Sequence, residues 1–254
     1  MGTLGFDVLG GGPQRVIVMN DWVSDTSSWQ PVRPYLDGQR QSWAFVDLRG
    51  YGRSRDLAGR YTQEEAARDV LAVADRLGWR EFVAIGHSVS TIIALHLAQK
   101  AVERVQRLVL VTPVPPRGMG VDDGTLSALE GMGRGNVTQR LQGLKGTFGE
   151  RLSDAWLRQK AQRWVECADP EASAGYARLF ARVGLSDPEL RVRQPVLAIT
   201  GDQDMPPVRK DAISPLLAAV CSQLTVIPIA DASHYPMQET PPLFATILER
   251  FLLG

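Results

Sequence analysis

Phe82-Val-Ala-Ile-Gly-His-Ser-Val-Ser-Thr-Ile-Ile-Ala-Leu-His-Leu-Ala-Gln99 decides the fold. The apolar run Phe82–Ile85 reads as a strand and Thr91–Gln99 as the helix that follows it. Between them, Gly86-His87-Ser88-Val89-Ser90 reads as a strained strand-to-helix turn that lifts the Ser88 hydroxyl to where a substrate can reach it. Such turns are usually worded G-x-S-x-G, the last glycine letting the new helix approach the strand. Ser90 stands in that place, so the turn needs partners elsewhere in the chain.

Outward from this stretch, short aliphatic runs alternate with amphipathic ones, the pattern of a mostly parallel sheet covered on both faces. Strands are expected at Arg15–Met19, Trp43–Asp47, Phe82–Ile85, Arg107–Val111, Val196–Thr200 and Leu224–Ile229, with a short edge strand at Phe6–Leu9. Thr62–Leu77 is a helix with a capping box, Thr62 followed three residues later by Glu65, and apolar Ala66, Val70, Val73, Ala74 and Leu77 on one face. From about Pro113 the rhythm breaks. Helical patterns at Asp122–Met132, Val137–Leu144, Ser153–Cys167 and Glu171–Ala181 follow one another without a strand, which reads as a helical lid at 114–193, set into a core of 1–113 and 194–254.

At 254 residues, with 28 Lys plus Arg against 28 Asp plus Glu, the chain has no field to draw nucleic acid or an anionic membrane. The expected partner is a small molecule. Cys167 and Cys221 are far apart with no metal-ligand spacing around them, so two reduced thiols, no metal and no cofactor are expected. The opening residues carry neither a basic segment nor an apolar run, and no stretch approaches the roughly 20 residues of a membrane span; a cytoplasmic protein is expected.

Serine needs a general base, and the base needs an acid to fix its tautomer. Of three histidines, His87 neighbours Ser88 and should point away from its hydroxyl, and His96 lies on the helix beyond. His234, in Asp231-Ala-Ser-His-Tyr-Pro236 after the last strand, falls at the carboxyl edge of the sheet near the turn. The acid comes from Gly201-Asp-Gln-Asp204. Asp204 is preferred to Asp202 because the first aspartate suits the turn's own amides and the second is better placed to turn inward. Thr112-Pro113-Val114 offers no carboxylate, so the order is Ser88, Asp204, His234.

With these motifs in register, the chain resembles the α/β-hydrolase superfamily over essentially its whole length. The supporting runs are Gly86–Ser90, Asp47-Leu-Arg-Gly-Tyr-Gly-Arg-Ser54, Gly201–Asp204 and Ser233-His234 with Glu239-Thr-Pro241. The resemblance implies a serine hydrolase acting on an ester or lactone, with Arg49 and Ser54 as parts of a buttressing loop. It also implies an oxyanion hole from the backbone N–H groups of Trp22 and Val89. Where the family usually has His-Gly after the first long strand, this chain has Asn20-Asp21. A carboxylate aimed at the oxyanion would oppose catalysis, so Asp21 either points away or binds a substrate hydroxyl or amide. Trp22 lines the pocket or packs in the core. Trp156 and Trp164, with Phe148, Tyr176, Phe180, Met119 and Met132, are candidates to roof an apolar cleft, and an inward-turned arginine of the lid would favour an acid-bearing substrate. Ser88 argues against dehalogenase and epoxide-hydrolase chemistry, which uses aspartate at this turn. The G-H-S-V-S wording is also similar to that of hormone receptors of the same fold, which keeps a ligand sensor open beside a carbon–carbon bond hydrolase using the same triad.

Overall fold

A computed structural model describes residues 2–148, 151–185, 187 and 189–254. The chain runs β1 (Phe6–Gly10), β2 (Gln14–Met19), β3 (Gln41–Val46), α1 (Gln63–Arg76), β4 (Phe82–His87), α2 (Ser90–Lys100) and β5 (Val105–Val111). Four helices follow: α3 (Asp123–Arg134), α4 (Val137–Phe148), α5 (Asp154–Cys167) and α6 (Pro170–Arg178), the last continuing into a π-turn, Leu179–Val183. The sheet resumes with β6 (Val192–Gly201), then α7 (Lys210–Ala218), β7 (Cys221–Ile229), α8 (Pro236–Glu239) and α9 (Pro241–Leu253).

The seven strands lie in the order β1-β3-β2-β4-β5-β6-β7, with β1 antiparallel to β3 and every other pairing parallel. Every residue of β3 and β4 is buried. Helices on both sides leave such strands no polar face, which is why their sequences read as continuous apolar runs. After β2 the chain steps one way across the sheet to β3, and after β4 it steps the other way through β5, β6 and β7. The crevice beyond the carboxyl ends of β2 and β4 is therefore the switch point where ligands bind in open parallel sheets. The loops that follow those two strands carry Asn20–Ser24 and Ser88.

Strands β5, β6 and β7 begin earlier than the apolar pattern indicates, at Val105, Val192 and Cys221. Their first residues include exposed polar side chains such as Gln106, Arg193 and Ser222, which contribute no hydrophobic signal, and the register with the neighbouring strand shifts there. The α1 cap also differs in detail. Thr62 accepts from the Glu65 N–H (3.3 Å), but the Glu65 carboxylate reaches past Thr62 to the N–H groups of Arg60 and Tyr61. Both cysteines are free and buried, and no helix among the described residues is long and apolar enough to cross a membrane.

Candidate active site

Ser88 has φ +56°, a left-handed conformation costly for a residue with a Cβ. Three hydrogen bonds hold it there. Its N–H donates to Val111 O at the end of β5 (3.0 Å), and its carbonyl accepts from the N–H (3.0 Å) and hydroxyl (2.6 Å) of Thr91. The close approach of helix to strand falls on Gly86, where an added Cβ would lie 2.4 Å from Ser90 O. Position 90 is therefore free to carry a side chain. Ser90 Oγ accepts from the His87 N–H (2.8 Å) and donates to His87 O (3.0 Å), tying the turn to itself.

His234 and Asp204 complete the arrangement. His234 Nε2 lies 2.9 Å from Ser88 Oγ, and Nδ1 lies 2.8 Å from Asp204 Oδ2. Asp204 Oδ1 accepts from the Met205 N–H (2.7 Å), which leaves Oδ2 for the imidazole; Asp202 is exposed. Burial opposes the His234 cation, but the charge and hydrogen bond of Asp204, helped by Asp21 and Glu239, outweigh it and raise the imidazole above its ordinary pKa. The loop that carries His234 is gathered by Glu239, whose carboxylate accepts from the Ser233 N–H and hydroxyl and the Tyr235 N–H. His87 does point away from the Ser88 hydroxyl. Its Nε2 instead meets His234 O at 2.7 Å, beside Thr112 Oγ1 at 3.2 Å. Burial pushes His87 down to about 4, so it is neutral, with Nε2–H donating to that carbonyl.

Asn20 organises the loop after β2. Fully buried, it donates from Nδ2 to Asp21 O and Ser24 O (both 2.8 Å) and accepts at Oδ1 from the Leu48 N–H (2.7 Å). Tyr51 Oη donates to Trp22 O (2.7 Å). Among the described residues, the N–H groups of Trp22 and Val89 donate to no group of the chain. Trp22 combines both roles its position allows. Its ring lines the cavity and meets Trp164 and Phe180 edge-on at 4.8 and 5.0 Å, while its Nε1 donates to Ser173 O on α6 (2.7 Å). The Asp47–Ser54 loop buttresses this region. Asp47 accepts from the N–H groups of Thr26 and Arg53, and Gly52, at φ +48°, leaves room for its carboxylate 2.5 Å from where a Cβ would sit.

Above Ser88 and His234 is a cavity of about 230 Å³. Its walls are apolar, with Met119, Met132, Leu144, Phe148, Trp164 and Phe180 from the segment between β5 and β6, and Asp21 and Tyr235 among the few polar residues. Trp164 thus stands where a substrate contact was expected. Trp156 does not, because it packs behind the cavity wall against Phe148 and Tyr235 and donates to Gln238 Oε1. Tyr176 is likewise turned away, onto Tyr51 and Tyr61. Among the described residues, no arginine lines the cavity: Arg134, Arg151, Arg158, Arg163, Arg178 and Arg182 are engaged with carboxylates, and Arg140 is buried over the Trp164 ring. The Asp21 side chain points toward Tyr235, whose hydroxyl donates to Oδ2, and toward Ser28, at 3.5 Å from Oδ1. Lys160 and Tyr235 carried no signal in the sequence; Tyr235 had only its adjacency to His234.

The model of the α/β-hydrolase fold family matches residues 9–241. The chain belongs to the α/β-hydrolase fold family. It is 29% identical, over 98% of its own length and 99% of the relative's, to the pimeloyl-[acyl-carrier protein] methyl ester esterase of Nitrosomonas europaea. Among solved structures, the esterase EaEST from Exiguobacterium antarcticum superposes with a TM-score of 0.82 at 19% identity, each chain covered completely. The enol-lactonase from Burkholderia xenovorans LB400 superposes with a TM-score of 0.83 at 23% identity, over 99% of this chain and 96% of that one. In this α/β-hydrolase, the Ser88 turn, the Asp204 turn and the His234 loop meet at one edge of the sheet.

Proposed function

We propose that this α/β-hydrolase cleaves a carboxylic ester or lactone of a small, neutral and largely apolar metabolite through an acyl-enzyme on Ser88. The observation that carries the reading is the unbroken line from Asp204 through His234 to Ser88, at 2.8 and 2.9 Å, ending on the floor of the apolar cavity. His234 Nε2 takes the Ser88 proton as Oγ attacks the carbonyl carbon, and Asp204 holds the tautomer and stabilises the imidazolium. The N–H groups of Trp22 and Val89 receive the oxyanion, each such donor lowering the barrier by about 2.7–4 kcal/mol. Collapse breaks the bond to the alkoxy oxygen, which leaves with the proton from His234. Water then gives a proton to His234 and attacks the acyl carbon, and Ser88 recovers its proton as the acid departs.

The segment between β5 and β6, which carries helices α3–α6, acts as a lid in this reading, since it supplies most of the apolar cavity wall. A neutral substrate is favoured because, among the described residues, no arginine lines the cavity and the Asp21 carboxylate does. Carbon–carbon cleavage would use the same triad; the methyl ester esterase named among the relatives supports the ester. The test is a panel of nitrophenyl esters, methyl esters and lactones run on wild type and Ser88→Ala, together with fluorophosphonate labelling. Turnover and labelling are expected in the wild type and both are lost in Ser88→Ala. A wild type that neither turns over nor labels overturns the reading, and a ligand-dependent change of association that survives Ser88→Ala would indicate a sensor.

A further inference from the structure

Two ionisable side chains beside the triad are buried where charge is expensive: Asp21, 1% exposed, and Lys160 of α5, 3% exposed. Tyr235, also 1% exposed, joins them. Its hydroxyl donates to Asp21 Oδ2, and Lys160 Nζ lies 3.8 Å from its ring centroid. Lys160 Nζ also donates to Ser28 Oγ (3.0 Å), whose hydroxyl turns toward Asp21 Oδ1 (3.5 Å). Asp21 immediately precedes Trp22, and Tyr235 immediately follows His234. A single hydrogen bond therefore connects the loop bearing the oxyanion donor to the loop bearing the base, and a cation from the helical insertion balances its charge.

The geometry points to Asp21, Tyr235 and Lys160 as positioning residues: a charge-balanced clasp that fixes the base relative to the oxyanion donor and sets how readily His234 takes a proton. The inference rests on the serine-hydrolase reading above. Asp21 favours the His234 imidazolium and disfavours an oxyanion at the Trp22 N–H, and Lys160 acts in the opposite sense on both. Glycine at position 21 would leave neither effect, nor a partner for Tyr235. The charged and titratable groups facing His234 are Asp204, Asp21, Glu239, His87 and Tyr235; those facing Lys160 are Asp21, Tyr235, Asp25, Cys167 and His87, with Arg163 engaged on Asp25. Asp21 stands closer to His234 in effect than Lys160 does, so its removal dominates.

Titration of the His234 imidazole by NMR in Ser88→Ala protein, alone and combined with Asp21→Asn, Lys160→Met, Lys160→Arg or Tyr235→Phe, tests the clasp. Asp21→Asn is expected to lower the His234 midpoint by about half a pH unit and Lys160→Met to raise it by a smaller amount, with Lys160→Arg returning it toward the parent. In the Ser88 background, Tyr235→Phe is expected to lower kcat about tenfold with KM little changed. Superimposable titrations in folded Asp21→Asn and Lys160→Met proteins, or shifts of the same sign, overturn the inference. Should Asp21→Asn fail to fold, a Lys160→Met titration unchanged from the parent overturns it equally. Because the titration needs no turnover, it separates failure of the clasp from failure of the ester-hydrolase reading, which Ser88→Ala kinetics decide.

Discussion

Asn20→Ala should damage stability and catalysis by separable amounts. The side chain is fully buried and makes three hydrogen bonds, to Asp21 O, Ser24 O and the Leu48 N–H. At about 1 kcal/mol net for each, alanine costs roughly 3 kcal/mol, and the buried Leu48 N–H left without its acceptor adds to this. The catalytic effect follows from where the lost bonds lie. They hold the Asp21–Trp22 peptide, whose N–H is the proposed oxyanion donor, and the Ser24 carbonyl beyond it, while Tyr51 still holds Trp22 O at 2.7 Å. A donor lost completely would cost about 10²–10³ in kcat, and one loosened but still tethered about tenfold to a hundredfold. Urea unfolding gives the first quantity. Steady-state kinetics on a nitrophenyl ester, normalised to fluorophosphonate-titrated Ser88, gives the second. A variant that shows the full loss of stability with kcat within about threefold of wild type would refute the link between Asn20 and the oxyanion loop.

Asp204→Asn should leave the fold intact and lower kcat by about 10³–10⁴, because the amide cannot stabilise the imidazolium and presents the wrong group to Nδ1; ester kinetics check this. The raised His234 pKa makes kcat/KM fall as the pH drops through it, an acid limb above the ordinary histidine value in wild type and shifted down in Asp204→Asn. His87 makes the opposite kind of stability contribution. Its folded pKa, about 4, lies below the unfolded value, so its neutral form stabilises the protein above about pH 6.5. That contribution, on the order of 3 kcal/mol, is lost as the pH falls toward 4, and urea unfolding of His87→Gln should show a correspondingly flatter dependence over that window. Gly143→Ala would place a Cβ 1.8 Å from Met132 Sδ and push the thioether into the cavity. Long-chain nitrophenyl esters should then lose kcat/KM relative to acetate, and equal losses for both would show that the substrate lies elsewhere.

Several elements were readable because each is set by short-range chemistry. The elbow needs only a glycine beside a helix and a serine tolerated at positive φ, the acid turn and histidine loop follow strands of clear apolar pattern, and Thr62 caps its helix within three residues. The choice of Asp204 over Asp202 rested on the same local logic. Ser90 was readable as a departure but not in its consequence, because whether position 86 or 90 bears the close approach depends on how α2 sits on β4. The strand starts at Val105, Val192 and Cys221 were hidden, since the exposed polar residues beside them, such as Gln106, Arg193 and Ser222, break the apolar pattern.

The sequence by itself determined the fold and the loops that bring Ser88, Asp204 and His234, in that chain order, to one edge of the sheet, because hydrophobic period and loop position are properties of contiguous residues. Only the tertiary structure decided that Trp164 faces the cavity and Trp156 does not, that Arg134, Arg151, Arg163, Arg178 and Arg182 are engaged with carboxylates, and that His87 serves the His234 carbonyl. It alone brought Lys160 to Asp21 and Tyr235, residues 139 and 75 positions away along the chain. Side-chain direction on a helix and charge pairing across loops depend on how separate elements pack, and no local pattern encodes that.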